Sequence, residues 1–297
     1  MPSKRQLAYA AEVSEMYASY ATQMADYGAR VIELLKETQR AVAARIKDIS
    51  ISDWERLSLK EVSGQIDEAL VVFQNEYNQL MAESLLTSGE NGVNIIVQPL
   101  RNNLNVSLMA FEPNVFYPVV LDPAYQAQLS LSATLIGKAS ADVAYNIRSK
   151  IMIGMAEGLP KEEVINQIIG ELAGEKMGFA TLNDRAWAIY RTENGRMSSI
   201  ATEMQMQGAK QLIPNAKKIW FHGAMGGAGQ RPRMGHVMLD GVTAPVGEPF
   251  VNEVTGELLM YPHDPAGAAS EVINCGCAHT LDMPSDSYLR DNTLVAV

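Results

Sequence analysis

The sequence predicts an α+β protein: a long N-terminal helical hairpin, an extended arm, a helical middle and a small C-terminal β-containing module. Three observations carry this prediction. Apolar residues recur every three or four positions through most of the first ninety residues. Between there and residue 123 prolines interrupt the chain and alternation replaces that period. From Lys217 onward glycines and prolines separate short apolar runs. The boundaries so defined are 1–90 for the hairpin, 91–123 for the arm, 124–283 for the main domain and 284–297 for a peripheral tail. Within the main domain, helices occupy 124–209 and the β-containing module 210–283.

In the hairpin, Val13, Tyr17, Tyr20, Met24, Tyr27, Val31 and Leu34 form a heptad seam, the pattern of a helix that buries one stripe. A helix from Arg5 to Asp48 would be about 65 Å long at 1.5 Å per residue. Ser52 and Glu55 make a capping box for a second helix, whose matching seam is Leu59, Val62, Ile66, Leu70, Phe73, Tyr77 and Leu80. The two seams suit each other, and a residual stripe would suit a partner or a second copy. Thr87-Ser-Gly-Glu-Asn-Gly92 has the composition of a loop. Leu104, Val106 and Leu108 alternate with polar residues, as in a strand or arm. Pro99, Pro113, Pro118 and Pro123 break that region.

Helical spacing returns with Leu135, Ala139, Val143, Ile147 and Ile151. Pro160 followed by Glu162 and Glu163 opens a short helix, with proline at its first position and acids in its first turn. Another helix starts near Thr181 and carries Trp187, Tyr190, Met197 and Met204.

The chain has 297 residues, 47% of them hydrophobic, and a formal net charge of −10. That composition supports one large or two ordinary cores and disfavours general nucleic-acid binding, which depends on neutralising phosphates. Lys210, Lys217, Lys218, Arg231 and Arg233 lie in a stretch without an acid, the best candidate patch for DNA; ordinary surface pairing explains it equally well. The N-terminus lacks the apolar segment of a secretory signal, and no apolar run is long enough to span a bilayer. No membrane association and a reducing cytoplasm are therefore expected, with the thiols free or metal-bound.

All four histidines and both cysteines lie between His222 and His279. On a strand, Cys275, Cys277 and His279 would share one face, and with His236 or His263 they could hold zinc. The competing readings are small thiols filling a tight core and a redox pair, and the C-x-C spacing favours the core reading. No other cofactor is expected. The Gly223–Gly229 run lacks the lysine ending of a phosphate loop. On the helix before it, Glu193 and Arg196 can pair locally; a carboxylate base near His236 is the catalytic alternative.

Read together, several motifs occur in a definite order: Gly158 to Gly170, Ala188-Ile-Tyr-Arg191-Thr-Glu193, Trp220, Arg233-x-x-His236, Leu239-Asp240-Gly241, Gly247 to Phe250, Pro262-x-Asp-Pro265 and Glu271-x-Ile-Asn274-Cys275-x-Cys277. Over residues 130 to 282 this series resembles the phage head morphogenesis family, the Mu F-like minor head proteins of tailed bacteriophages. The resemblance implies that Arg191, Glu193, Trp220, His236, Asp240, Asn274, Cys275 and Cys277 form the structural core of the module. It also implies a virion protein of the capsid interior and portal vertex, present in the host cytoplasm during assembly. Its expected partners are portal protein, major capsid protein and packaged DNA. No catalytic residues and no enzyme activity are expected on this reading. Related modules also occur joined to toxin or effector domains, so the alternative is a metal-dependent hydrolase or effector using the His/Cys cluster.

Overall fold

Helix α1 (Lys4–Asp48) and helix α2 (Leu59–Asn103) each run for 45 residues. The computed structural model describes residues 2–48, 59–104, 122–173, 182–210, 213–225 and 233–291. Helices α3 (Asp122–Ala156), α4 (Lys161–Ala173) and α5 (Leu182–Ala209) follow. The C-terminal module then alternates short elements: β1 (Lys217–Phe221), α6 (Met234–Leu239), β2 (Thr243–Pro245), β3 (Phe250–Val251), β4 (Leu258–Leu259), α7 (Ala269–Val272), β5 (Ala278–Asp282) and α8 (Asp286–Asp291). The α+β class is therefore as the sequence predicts.

Two compact units divide the chain: residues 1–25, 84–128 and 191–297 form one, and residues 26–83 and 129–190 the other. They cut across the expected boundaries near 90 and 124, because α1, α2, α3 and α5 each continue from one unit into the other.

In the first unit, β1 is the centre of a three-stranded antiparallel sheet of order β2-β1-β5, with Trp220 opposite His279. Strands β3 and β4 make a separate two-stranded ribbon. Trp220, Leu239, Ala244, Phe250, Leu259, Cys275 and Cys277 form its core, and Trp220 meets both Phe250 and His236 edge-on. Val13, Tyr17, Tyr20 and Val31 of the α1 seam are buried and Met24, Tyr27 and Leu34 half-buried, and its N-terminal part serves this module. Tyr17 Oη donates to the His279 carbonyl at 2.6 Å, and Tyr9 Oη lies 3.4 Å from Thr280 Oγ1. Tyr20 Oη donates to Ser88 Oγ and to the Asn194 carbonyl. Burial pushes the Tyr20 phenol up to about 12, so it stays a neutral donor.

Three sequence expectations are corrected here. Residues 87–92 are not a loop: α2 passes through them and ends at Asn103. Ser88 and Gly92 are small because α5 crosses at contact distance. A Cβ on Gly92 would lie 2.3 Å from the Ser198 carbonyl oxygen, and Thr202 Oγ1 donates to the Gly92 carbonyl. Residues that read as a turn are the small-residue face of a close helix crossing. The arm predicted over 91–123 is accordingly helical in its described parts, to Asn103 and again from Asp122; residues 105–121, with Val106 and Leu108, lie outside the described residues. The tail is likewise less peripheral than predicted. Ser3 Oγ donates to Asp286 Oδ1, and Leu289 on α8 is fully buried.

In the second unit, Phe73, Tyr77, Ile147 and Ile151 lie in the core, and Tyr77 Oη donates to the Ala186 carbonyl. A Cβ on Gly28 would fall within 1.9 Å of the Trp187 ring, so the one glycine of α1 makes room for the indole. Helix α3 ends at Ala156, followed by a turn with Gly158 at φ 68°, and Glu162 and Glu163 occupy the first turn of α4 as expected.

Candidate functional site

Helix α5 organises the first unit. From Thr192 to Gln205 nearly every side chain is buried, including Thr192, Glu193, Asn194, Arg196, Thr202, Glu203 and Gln205. A helix buried on all sides normally carries apolar residues; this one carries polar groups that are matched individually. Arg196 Nη1 donates to Glu193 Oε2 at 2.6 Å, and its Nε donates to the His263 carbonyl. That is the structural ion-pair reading of the sequence. Burial pushes the Glu193 carboxyl up, and Arg196 partly offsets it. Thr192 Oγ1 accepts from the Asn274 N–H at 2.9 Å. Asn274 has φ 57°, a left-handed geometry that asparagine tolerates. Gly195 is small because His263 packs on it: an added Cβ would meet the His263 ring at 2.4 Å.

The His/Cys cluster sits where α6 faces the loop before β5. His236 Nδ1 lies 3.4 Å from Cys275 Sγ and 3.5 Å from Cys277 Sγ. All three side chains are buried, and their candidate ligand atoms fall within 4.8 Å of one another. His222, in the turn after β1, brings its own Nδ1 to 3.5 Å from Cys277 Sγ. The turn is held in place. The His222 N–H donates to Asp240 Oδ1, and the Met225 N–H donates to the Gly276 carbonyl.

Behind His236 a second layer fixes its orientation. His236 Nε2 is 2.8 Å from Glu271 Oε2, and Asn252 Nδ2 donates to the same oxygen at 3.1 Å. A carboxylate oxygen accepts, so Nε2 carries the imidazole proton and Nδ1 turns its lone pair toward the thiols. Asn252 is itself locked by the Val254 N–H on its Oδ1, and Gly235 leaves the room it needs. Both cysteines are free thiols. The contact with Cys277 holds the Cys275 thiol below its ordinary range, and that contact with burial pushes Cys277 up to about 12.

Of the ligands the sequence proposes, Cys275, Cys277 and His236 lie together, and His263 and His279 lie elsewhere. Residues 273–277 are a loop rather than a strand, so Cys275, Cys277 and His279 do not share a face. His279 belongs to a second buried cluster, 3.3 Å from Glu203 and stacked on Tyr261. His263 turns away too, its Nε2 bonded to the Cys275 carbonyl at 2.9 Å, and burial lowers its pKa to about 3. His222, Glu271, Asn252 and Glu203 were missed. The signal for His222 was its place two residues after Trp220; for Glu271 it was the approach of a carboxylate to His236, which the sequence assigned to Glu193.

The predicted basic patch does not form as drawn. Lys218 is fully buried, donating to Glu203 at 3.1 Å and to the Met260 carbonyl. Arg233 spends its donors on the Ser270 and Ile273 carbonyls, and Lys210 donates to the Val246 carbonyl. Lys217 is exposed, and Arg231 lies outside the described residues. Of the expected core residues, Trp220, Glu193, Cys275 and Cys277 are buried, Arg191 and Asn274 are half-buried, and Asp240 is exposed and caps the His222 turn.

Fold and site together define a largely helical protein with a small β-module closed around histidine and thiol side chains. No family model matches the chain, and no solved structure matches it. One curated relative, "NAD(+)--arginine ADP-ribosyltransferase EFV" of Enterococcus faecalis (strain ATCC 700802 / V583), is 28% identical over 250 residues, covering 82% of this chain and 48% of that protein. "Uncharacterized protein YqbB" of Bacillus subtilis (strain 168) is 39% identical over 61 residues, 20% of this chain and 19% of that one. The chain thus spans about half the length of the first relative and about a fifth of the second. The likeness to a protein named for an enzyme activity corrects the expectation that no enzyme activity belongs to this sequence. Among the described residues no helix is long and apolar enough to cross a membrane.

Proposed function

We propose that the chain is a minor head protein of a tailed bacteriophage, docking on portal or major capsid protein inside the assembling capsid. The observation that carries this reading is the gathering of the motif residues. Arg191, Glu193, Trp220, His236, Asp240, Asn274, Cys275 and Cys277 are spread over more than eighty residues of sequence, yet all belong to one compact unit. Trp220, Cys275 and Cys277 share its core. Residues gathered in this way suit a module that presents a rigid surface to a neighbouring subunit. Contact with packaged DNA has narrower support, since Lys218 is internal. The test is co-purification: the protein should accompany portal or procapsids in a fixed low copy number. Protein found only free in the lysate counts against the reading.

A second reading is ADP-ribosyl transfer from NAD to arginine, favoured by the 28% identity over 82% of the chain. In that reaction a guanidino nitrogen of the acceptor attacks C1′ of the nicotinamide ribose. A new C–N glycosidic bond forms, nicotinamide leaves, and the acceptor releases a proton. Incubating the chain with NAD labelled on its adenine and with agmatine tests it. Label on agmatine supports the reading, and intact NAD after long incubation removes it for this stretch of chain.

A further inference from the structure

We propose that Cys275, Cys277, His236 and His222 are the four ligands of a structural zinc site. The geometry carries the assignment. A tetrahedral zinc with Zn–S near 2.3 Å and Zn–N near 2.0–2.1 Å places each sulfur about 3.5 Å from each nitrogen. Three of the four thiol–imidazole pairs stand at that separation, 3.4, 3.5 and 3.5 Å; the ligand atoms of His236, Cys275 and Cys277 all lie within 4.8 Å of one another, and His222 joins them as the fourth ligand through its contact with Cys277. They arise from three separate parts of the module: the turn after β1, helix α6 and the loop before β5.

Three further observations point to a metal rather than to packing alone. The first is the chain Asn252–Glu271–His236, in which a buried carboxylate holds the far imidazole nitrogen and aims the near one at both sulfurs. Metal-bound histidines are held in this way, and such outer partners fix tautomer and ring orientation. The second is the Cys277 N–H, 3.4 Å from Cys275 Sγ; a backbone N–H directed at sulfur favours its thiolate form, the form that binds metal. The third is charge. Two thiolates, two neutral imidazoles and one divalent zinc sum to zero, so the site can lie in the core without an uncompensated charge. Two thiolate and two imidazole ligands in tetrahedral array select zinc among the divalent ions common in cells.

A disulfide accounts for neither imidazole. A Cys–His–Glu relay for nucleophilic attack would need a reachable sulfur, and Cys275 and Cys277 are 2% and 1% exposed. The site is independent of whether the chain docks on a portal.

The experiment uses the full chain, purified without chelator and assayed for metal by mass spectrometry. It is then stripped, checked for folding by circular dichroism, and titrated with Co(II) and with Zn(II). The expected result is about one zinc per chain, as for one closed four-ligand site. The Co(II) form should show thiolate charge transfer and the intense visible bands of a tetrahedral ion. His222→Ala changes a half-exposed turn residue, so the fold should survive. Its zinc affinity should fall by at least about 100-fold, since loss of an outer partner alone costs about 10- to 100-fold. Cys275→Ser/Cys277→Ser should bind no zinc; if that variant fails to fold, the wild-type titration and His222→Ala still decide. Folded wild-type protein that neither retains nor takes up zinc overturns the proposal. So does wild-type affinity in His222→Ala.

Discussion

The first unit contains two buried polar clusters near β1 that solve the same problem in opposite ways. One is Glu203 with Lys218 and His279; the other is His236 and His222 with Cys275 and Cys277. Both place titratable groups in a core. In the first, permanent charges satisfy each other. Lys218 Nζ donates to Glu203 Oε2, the Gly247 N–H donates to Glu203 Oε1, and Lys218 also donates to the Met260 carbonyl. Burial alone would push Glu203 up, but His279 and Lys218 outweigh it and hold the carboxyl below its ordinary range. Burial lowers Lys218, and Glu203 partly offsets that. In the second cluster the groups facing one another are thiols and imidazoles, with Arg191 and Arg233 acting on Cys275 from outside the group, and Glu271 stands behind an imidazole. In the first cluster the Lys218 and Glu203 charges are matched by protein atoms, while the His279 ring nitrogens make no hydrogen bond among the described residues. The second has the donor set and spacing that a metal completes.

Removing one member should therefore do different things in the two clusters. The largest effect is expected at the ionic one. Glu203→Ala leaves Lys218 charged and unmatched in the core, a change worth about 3–5 kcal/mol. Denaturant unfolding should show this as a large loss of stability or a failure to fold. A loss under about 1 kcal/mol would mean that Lys218 escapes to solvent or loses its proton at little cost.

At the thiol cluster, Glu271→Gln keeps the size of the side chain but weakens the hold on His236. Its expected effect is about 10- to 100-fold in zinc affinity, read by competition with a chromophoric chelator. Unchanged affinity would make Glu271 a packing residue.

Acid should act on the histidines that neither cluster charges. His263 has its pKa lowered by burial to about 3, against an unfolded value near 6.5. Between those values the unfolded chain binds one proton more than the folded one. Stability contributed by this residue is thus full above about 6.5 and falls as the pH drops toward 3, by up to about 1.4 kcal/mol per pH unit. His279, lowered by burial with Glu203 opposing, adds to the same slope. In His263→Asn, a residue that accepts the φ of 65°, the acid slope measured by unfolding at successive pH values should be shallower. An unchanged slope would place the acid sensitivity elsewhere.

The smallest effect belongs to the surface. Arg30 and Glu83 pair at 3.1 Å with both side chains 56% exposed. Glu83→Ala should change stability by no more than about 0.5 kcal/mol. A larger loss would show that exposure is a poor guide to the difference between these pairs and Glu203–Lys218.

Much of the fold was legible because helical periodicity is a local property. The seam through Val13, Tyr17 and Tyr20, the proline-opened helix α4 and the Glu193–Arg196 pair all follow from spacing along one element. What escaped depends on what lies opposite. Ser88 and Gly92 look like turn residues until α5 crosses them, and Lys218 looks like surface until Glu203 faces it. The site divides in the same way. Cys275, Cys277 and His236 could be chosen by residue type, whereas selecting His222 over His279 required knowing that the C-x-C segment is a loop. A strand would have alternated the side chains and brought His279 in. The loop instead turns both sulfurs toward His236 on α6, and that of Cys277 also toward the turn after β1.

The most direct measurement is X-ray absorption at the zinc edge on the full chain purified without chelator. The account predicts a four-coordinate shell of two sulfurs near 2.3 Å and two nitrogens near 2.0–2.1 Å. A shell of oxygen and nitrogen only, or no zinc absorption from folded protein, would contradict it.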